Sequence, residues 1–464
     1  MIHKLKNYIL EIILAYNLSM KLFSITINKK INTHKNIITV DGDKSISHRF
    51  FLIASQAIGI SEATGILEAG DILNTINALK KLNVKILKKN NKYYVFGNGL
   101  GSFKVKKNTS INCGNAGTLS RLLCGLLVCY PNKIKLFGDK SLNKRPMKRI
   151  TEPLEKFGMS FYPINKKTLP LFVTGSQMPV PIEYNERIGS AQIKSTLINA
   201  SLLTPGISKI NEIKKSRNHH EIMLKHVGAD IKIKKNKKYN SIFIRGEKDF
   251  QCFNLKVPGD ISSAAFFIAL TILSKKSKII LKNICLNPTR AGIITILKKM
   301  NANIKLKNVK KICGEITGDI IVCSSNLKKI NCPKSLVPYA IDEFCIIMII
   351  AAAAEGTSLF SGLSELNKKE SPRLDIMNKI LNKIGIKTIK NKDSIKIFGN
   401  PNLNLKNTYI IKSYMKDHRV CMASVIAALS FGGKWKIENA ECVATSFPSF
   451  YKLIKKIGGK IDKK

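Results

Sequence analysis

Acidic residues are scarce in this sequence: 30 Asp and Glu stand against 78 Lys and Arg, so the 464-residue chain has a formal net charge of +48. Such a field disfavours cationic partners and favours anions, whether nucleic acid, phosphorylated metabolites or acidic surfaces. The lysines are spread over the whole chain together with isoleucine and asparagine, and there is only one Trp. Aromatic residues do not alternate with basic runs as platforms for single-stranded nucleic acid require. We therefore interpret most of the charge as solvated background and predict no specific nucleic-acid partner.

Long apolar runs are also missing. No stretch approaches 18 consecutive apolar residues, which argues against a membrane span. Residues 1–19 resemble a signal peptide only loosely, because Glu11 interrupts the apolar core and no small-residue cleavage site follows. We predict that residues 1–19 form a non-structural extension, that Met20 is the true start, and that the protein is cytoplasmic and monomeric.

The eleven cysteines include no C-x-x-C pair and no His–Cys spacing typical of a zinc site. Several lie inside apolar runs, which favours buried free thiols in a reducing compartment. His219 and His220 are adjacent, so their side chains point in different directions from a helix, and no third ligand is spaced for zinc. We predict no metal site.

One pattern recurs six times along the chain: an amphipathic helix ends at a Gly or Asn, and a short alternating strand follows. The six copies are ALKKLNVKI from Ala78, PLEKFGMSF from Pro153, MLKHVGADI from Met223, ILKKMNANI from Ile296, ILNKIGIKT from Ile380 and LIKKIGGKI from Leu453. Six spaced copies of one unit predict a modular α/β (α+β) architecture.

A second duplication divides the six copies into two groups of three. Residues 40–47 (VDGDKSIS) are echoed by residues 257–263 (VPGDISS), and an apolar helical run follows each. Gly and Pro at these points suit sharp turns of the chain. We predict a lobe one built from residues 20–42 plus 258–464, and a lobe two built from residues 43–257. The cleft between two such lobes can close on a substrate and exclude water.

Short polar motifs stand at predicted helix starts, where free backbone N–H groups favour anions. In the first half they are DKSISHR (43–49), CGNAGT (113–118), KRPM (144–147), SAQIKS (190–195) and SRNHHE (216–221). In the second half, carboxylates stand beside cations in IDE (341–343), KESPR (369–373) and DHR (417–419). Singly, each is explained equally well by an ordinary helix cap or structural ion pair. Together they suit polyanionic substrates and acid–base chemistry.

From about Ile37 to the C-terminus, these motifs in this order resemble the 3-phosphoshikimate 1-carboxyvinyltransferase (EPSP synthase) family, enolpyruvyl transferases. The resemblance also draws on Asp-Ile-Ser-Ser at 260–263 and Ala-Thr-Ser-Phe-Pro at 444–448. It implies the two-domain enolpyruvyl transferase fold, with three βαβαββ repeats in each domain. It also implies transfer of the enolpyruvyl group of phosphoenolpyruvate to the 5-hydroxyl of shikimate 3-phosphate, with release of phosphate, in aromatic amino-acid biosynthesis. No metal or organic cofactor is expected, because lysines and arginines stabilise the anions.

The resemblance also implies roles for individual residues. Asp342 is the expected base for the 5-hydroxyl, Glu370 exchanges the proton at the phosphoenolpyruvate methylene, and Lys44 touches both substrates. The expected contacts of shikimate 3-phosphate are Lys44, Ser45, Arg49, Ser190, Ala191, Gln192, Ser216, Arg217, Asp342 and Lys369. The expected contacts of phosphoenolpyruvate are Lys44, Gly117, Arg145, Gln192, Arg373 and Arg419. Many family members carry Lys where Thr445 stands, so one phosphoenolpyruvate contact is expected to be absent or replaced.

Two alternatives remain at this point. The sister transferase acting on UDP-N-acetylglucosamine shares the repeat fold, but it uses a cysteine in a mobile loop, and the corresponding GDKSLN (138–143) has none. An RNA-binding or RNA-end-processing protein would also use a strongly positive surface, and steep salt dependence with a defined nucleic-acid site would distinguish it.

Overall fold

The structure, a computed structural model, describes residues 22–164 and 168–464. The predicted extension at residues 1–19 and the proposed start at Met20 lie outside the described residues. The helices are α1 Lys44–Ala54, α2 Gly70–Lys81, α3 Gly117–Leu126, α4 Lys148–Glu155, α5 Ala191–Leu202, α6 His219–His226, α7 Ile261–Leu273, α8 Gly292–Lys299, α9 Val337–Ala340, α10 Phe344–Ala352, α11 Arg373–Lys383, α12 His418–Phe431 and α13 Phe450–Lys456. Short 3-10 helices are Leu142–Lys144, Lys334–Leu336, Ser364–Lys368 and Ala440–Thr445.

The strands are short, most of them three to seven residues long. They are β1 Ile25–Ile27, β2 Lys35–Ile38, β3 Ile58–Thr64, β4 Lys85–Lys89, β5 Lys92–Asn98, β6 Ser110–Asn112, β7 Ile134–Phe137, β8 Ser160–Tyr162, β9 Leu171–Thr174, β10 Glu183–Glu186, β11 Ile207–Glu212, β12 Ile231–Lys235, β13 Asn240–Arg245, β14 Asn254–Lys256, β15 Lys278–Cys285, β16 Ile304–Ile312, β17 Glu315–Cys323, β18 Thr357–Ser361, β19 Thr388–Lys390, β20 Ser394–Phe398, β21 Leu405–Ile411, β22 Gly432–Ile437 and β23 Asp462–Lys463.

These strands form six small sheets that share one topology. Two sheets are complete βαβαββ units in chain order: β6-β7-β9-β8 and β10-β11-β13-β12. In each, the first two strands are parallel and the last two are antiparallel, so an α-helix makes the parallel crossover. The predicted α/β fold of repeated βαβαββ units is confirmed.

The other four sheets depart from simple chain order. The sheet β14-β3-β5-β4 takes its first strand from residues 254–256, and β16-β17-β15-β2 and β21-β22-β1-β23 each take one strand from the N-terminal segment. The sixth sheet, β18-β20-β19, has three strands, and its expected first strand is reduced to the isolated parallel bridges Lys328↔Glu355 and Asn331↔Leu359. The chain therefore closes units with strands that are remote in sequence.

The six repeated sequence patterns all lie where a helix turns into a strand. In every copy, a residue two or three positions beyond the last helical residue is left-handed: Asn83 (φ 67°), Gly158 (95°), Gly228 (83°), Asn301 (69°), Gly385 (80°) and Gly458 (95°). Gly and Asn are the residues that adopt this conformation most readily, and it ends the helix by turning the chain out of it. The Gly or Asn in the repeated sequence pattern therefore corresponds to a position where the backbone must adopt the left-handed conformation.

Two hydrophobic cores divide the buried apolar residues. One contains residues 25–40 together with residues 261–461, and the other contains residues 46–257 and Cys285. Between them the chain crosses twice, at residues 41–43 and 258–260, and these two segments pair with each other. Asp43 N donates to Pro258 O over 2.8 Å, and Asp260 N donates to Asp41 O over 2.9 Å.

Within the described residues, no single helix has the length and apolar character needed to cross a membrane. The helical segments 334–340 and 344–352 together have the length and apolar composition of a membrane span, but the chain bends by 119° between them. All residues of α10 are buried in the core that contains residues 261–461, which explains the apolar composition of this segment.

Candidate functional site

A cavity of about 550 Å³ lies between the two cores, and the starts of six helices face it. Lys44 and Ser45 of α1, Gly117 and Thr118 of α3, and Ala191 and Gln192 of α5 form one side. On the other side are Asp260, the residue before α7; Asp342, two residues before α10; and His418 and Arg419 of α12. Helix starts carry free N–H groups and partial positive charge, so this arrangement favours anions even before side chains are considered.

Side-chain caps determine where four of these helices begin. Asp43 accepts from Ile46 N, Asp260 from Ser262 N, Asp417 from Arg419 N, and Ser190 from Ile193 N. Each cap satisfies a donor that the helix itself cannot use. The caps therefore place the residues that follow them, including Lys44 and Arg419, at the cavity.

Asp342 lies among cations from both sides of the cleft. Its carboxylate is 2.5 Å from Arg217 Nη2, 3.4 Å from Lys369 Nζ and 3.6 Å from Arg373 Nη1. Arg419 Nη1 donates to the backbone carbonyl of Asp342 over 2.9 Å. Burial alone would raise the pKa of Asp342, but Lys369, Arg217 and Arg419 outweigh burial and hold the pKa well below its ordinary value. Asp342 is therefore ionised among these cations.

Glu370 occupies a second cationic pocket. Arg373 Nη2 donates to its carboxylate over 2.5 Å, and Arg145 Nη1, from the opposite side of the cleft, is 4.0 Å away. Burial would raise the pKa of Glu370, but Arg373 and Arg145 hold it well below its ordinary value. Arg373 also donates to Asp417 over 2.8 Å and is almost fully buried, so the position of Glu370 is set from inside the core.

On the opposite side of the cavity from Asp342, a series of hydrogen bonds surrounds Gly117. Gln192 accepts from Arg121 over 2.5 Å and donates to Thr118 over 3.1 Å, while Arg145 donates to Asn115 over 2.5 Å. A Cβ at Gly117 would stand only 3.2 Å from Arg145 Nη1. The absence of a side chain here leaves the guanidinium of Arg145 room beside the start of α3.

Other predicted site residues form contacts with protein side chains. Lys44 forms an ion pair with Asp71, and Ser216 Oγ donates to Glu212 Oε1 over 2.9 Å. Arg217 reaches across the cleft to Asp342. These contacts hold the side chains in place while no ligand offsets their charge.

The structure brings most of the predicted site residues together around one cavity. Lining it are Lys44, Ser45, Gly117, Arg145, Ser190, Ala191, Gln192, Ser216, Arg217, Asp342, Lys369, Glu370 and Arg419. Arg49 and Arg373 lie directly behind the wall. Arg49 donates to Ser45 O and Ser195 Oγ, each over 3.0 Å, and burial lowers its pKa to about 10.

Thr445 lies in the 3-10 helix Ala440–Thr445 and donates to Cys442 O over 2.7 Å. It is not among the residues that line the described cavity. Its hydroxyl is therefore used within its own turn.

The sequence motifs missed several wall residues. They are Asp71, Arg149, Lys214, Arg290, Lys334, Ser335, Glu365 and Lys368. The lysines could not be recognised, because lysine is everywhere in this chain. Arginine was a usable signal: the sequence has ten arginines, and all except Arg187 and Arg245 lie on this wall or directly behind it. Arg149 and Arg290 could have been proposed on that basis.

Comparisons with known proteins place these features in context. The sequence model of the EPSP synthase (3-phosphoshikimate 1-carboxyvinyltransferase) family matches residues 28–454. A 3-phosphoshikimate 1-carboxyvinyltransferase of Caldicellulosiruptor bescii is 42% identical over 92% of this chain and 96% of its own length. One of Zymomonas mobilis is 37% identical over 92% of this chain and 94% of its own length.

Two solved structures are similar. An EPSP synthase from Acinetobacter baumannii has 35% identity and a TM-score of 0.84, covering 95% of this chain and 100% of its own. The enolpyruvyl transferase NikO from Streptomyces tendae has a TM-score of 0.74 over 96% of this chain and 99% of its own. Its 12% identity makes it evidence for the fold alone.

Proposed function

The chain belongs to the EPSP synthase (3-phosphoshikimate 1-carboxyvinyltransferase) family, and from that premise we propose how its site transfers the enolpyruvyl group of phosphoenolpyruvate to the 5-hydroxyl of shikimate 3-phosphate. The observation that carries the proposal is one cavity in which cations from both sides of the cleft surround two ionised carboxylates. The sister transferase and RNA-binding alternatives are not favoured.

The two substrates take different parts of the wall. Shikimate 3-phosphate binds to Lys44, Ser45, Ser190, Ala191, Gln192, Ser216, Arg217, Asp342 and Lys369, with its phosphate near Ser190, Ser216 and Arg217. Phosphoenolpyruvate binds to Lys44, Gly117, Arg145, Gln192 and Arg419. Arg49 and Arg373 act from behind the wall, because Arg49 holds Ser45 and Arg373 holds Glu370. Guanidinium groups suit both substrates, since they donate in pairs to phosphate and carboxylate.

The reaction then needs three proton transfers. Asp342 accepts the proton of the 5-hydroxyl of shikimate 3-phosphate, and the oxygen of that hydroxyl attacks C2 of phosphoenolpyruvate. At the same time C3 receives a proton from Glu370, which gives a tetrahedral ketal. Phosphate leaves with the electrons of its C2–O bond, and Glu370 takes a proton back from C3, which restores the double bond. The cations stabilise the departing phosphate and fix both substrates in position.

Protonated Glu370 must be available for the first of these steps, although its pKa is held low in the empty site. Two bound anions offset Arg145 and Arg373, which removes much of the cause of the low pKa. Substrate binding therefore moves Glu370 towards the state that can donate.

We also propose that the lobes are residues 20–42 plus 258–464 and residues 43–257. The separate hydrophobic cores and the paired crossings at 41–43 and 258–260 support this division. A cytoplasmic, monomeric protein without a specific nucleic-acid partner remains our prediction; the eleven free cysteines support a reducing compartment.

The decisive experiment mixes purified protein with shikimate 3-phosphate and phosphoenolpyruvate and measures inorganic phosphate. We expect release that requires both substrates and is saturable in each. Replacement of shikimate 3-phosphate by UDP-N-acetylglucosamine should give none. Phosphate release with the nucleotide sugar, or with phosphoenolpyruvate alone, would contradict the proposal.

A further inference from the structure

Three buried side chains near the crossing segments present ligand atoms to one another without forming hydrogen bonds among themselves. They are Asp43, His219 and Cys285, whose ligand atoms all lie within 4.8 Å of one another. All three residues are fully buried. Asp43 Oδ2 and His219 Nε2 have no hydrogen-bond partner among the described residues. Buried polar atoms are nearly always satisfied, so two in one place need an explanation.

His219 is oriented as a metal-binding histidine is. Its Nδ1 lies 2.7 Å from Glu315 Oε1, and the other oxygen of Glu315 accepts from Asn287 over 2.9 Å. An ionised carboxylate can only accept, so Nδ1 carries the proton, and in the neutral ring Nε2 presents its lone pair. A carboxylate on the far nitrogen is the usual outer contact of a histidine that binds a metal.

We propose that Asp43, His219 and Cys285 bind one divalent transition-metal ion of the zinc class. A carboxylate and a thiolate together offset the charge of a divalent ion, which makes the occupied site neutral in a buried position. Oxygen, nitrogen and sulfur donors in one set suit zinc, with bonds of about 2.0–2.3 Å.

The position gives such an ion a structural consequence. Asp43 lies in one crossing segment and caps α1 through its other oxygen. Cys285 ends β15, and its N–H donates to Gly259 O in the second crossing segment over 2.9 Å. His219 begins α6. The ion would join both crossings and the helix that follows Arg217, outside the substrate cavity.

Spacing along the chain could not reveal this set, because its members are 176 and 66 residues apart in sequence. We expected no metal site because no third ligand lies close to His219 and His220 in the sequence.

The test uses the intact protein, expressed with zinc or with cobalt in the growth medium so that the ion is available during folding. After desalting, we expect about one zinc per chain, and in the cobalt protein visible d–d bands together with a thiolate-to-cobalt charge-transfer band. Cys285→Ser should abolish that charge-transfer band and most of the bound zinc. Glu315→Gln should weaken zinc binding by about 10- to 100-fold, since it removes only the outer contact.

Cys124→Ser is the matched control, because Cys124 is equally buried but its Sγ donates to Ser120 O; it should keep the ion and the spectrum. Wild-type protein that retains no zinc, or a cobalt spectrum without the thiolate band, would overturn the proposal even if a variant failed to fold. Zinc retained equally by Cys285→Ser and Cys124→Ser would show adventitious surface binding and also overturn it. Phosphate release measured on the same samples tests the proposed function separately.

Discussion

At the scale of single residues, Asp342 and Glu370 each face at least two cations. These cations outnumber the two carboxylates and keep both of them ionised. Arg217 and Lys369 face Asp342, while Arg373 and Arg145 face Glu370. The surplus positive charge is what two anionic substrates would offset. In the proposed mechanism, these residues combine two tasks, binding anions and adjusting the proton affinity of the acid–base groups.

Glu370→Gln separates those tasks, because the amide keeps the shape and one acceptor but cannot exchange a proton. We expect kcat to fall by about 10²- to 10⁴-fold, the range of general acid–base catalysis, with much smaller changes in KM. Steady-state phosphate release measures both constants. Asp375→Asn is the control, since Asp375 lies in the first turn of α11, the helix that follows Glu370, and pairs with Lys390 away from the cavity; equal losses in both variants would contradict the role of Glu370.

Buried histidines make stability depend on pH. Burial lowers the pKa of His48 and of His220 well below 6.5, with a smaller contribution from nearby Lys and Arg. Below pH 6.5 the unfolded chain takes up protons that the folded chain does not. The free energy of unfolding should therefore be constant above this pH and decrease below it, by about 1.4 kcal/mol per pH unit for each histidine.

Urea unfolding between pH 7.5 and 5.5 measures this slope. His220→Gln should lower stability at every pH, since it alters the contact with Asn199, but it should also reduce the slope. His226→Gln, at an exposed position, should leave the slope unchanged. A wild-type slope of zero over this range would show that these histidines are charged in the folded protein.

At the scale of the element, the repeated helix-to-strand turn is the unit from which the molecule is built. All six copies use a left-handed residue, four times Gly and twice Asn. The rest of each unit varies more: one sheet has only three strands, and three take a strand from a remote part of the chain. The turn is the more uniform feature because it depends on one backbone conformation, whereas a strand can be supplied from anywhere that reaches the sheet edge.

Gly385→Ala tests this requirement without a steric complication, because nothing lies within 4 Å of the position its Cβ would take. The left-handed conformation should cost about 1 kcal/mol of unfolding free energy. Gly385→Asn should cost less, since Asn tolerates this region, as Asn83 and Asn301 do at the equivalent turns. Urea denaturation at pH 7.5 gives both values, and an alanine variant as stable as the wild type would contradict the argument.

At the scale of the whole molecule, the site exists only where the two sides of the cleft meet. Arg217–Asp342, Arg145–Glu370 and Arg149–Glu365 all connect residues of the 43–257 segment with residues of the 258–464 segment. Lys and Arg side chains from both sides of the cleft also face the cavity, and their mutual repulsion opposes closure. Bound anions reverse that repulsion, so ligand and closure favour each other.

We therefore expect the radius of gyration to decrease when shikimate 3-phosphate is added, and more so with both substrates. Small-angle X-ray scattering at low and moderate salt measures the change, which should shrink as salt screens the charges. Shikimate without its phosphate is the control and should have little effect. An unchanged radius with saturating shikimate 3-phosphate would mean that the empty protein is already closed.

The sequence by itself determined the repeat. Alternating apolar positions, a helix-ending Gly or Asn and the VDGDKSIS–VPGDISS duplication depend on local backbone preferences, and such preferences can be read from neighbouring residues. It also determined most of the cavity wall, since the motifs at 43–49, 190–195 and 369–373 lie at helix starts. The identity of these residues was visible because their spacing is short and their order is specific.

Only the tertiary structure decided which partner each charge meets. Arg217 is 125 residues from Asp342 and Arg145 is 225 residues from Glu370, and no local pattern encodes such distances. The same holds for Lys334, which the lysine background concealed, and for Asp43, His219 and Cys285, which meet beside the paired crossings. Long-range contacts arise from packing two cores on either side of the paired crossing segments, and that depends on the whole chain at once.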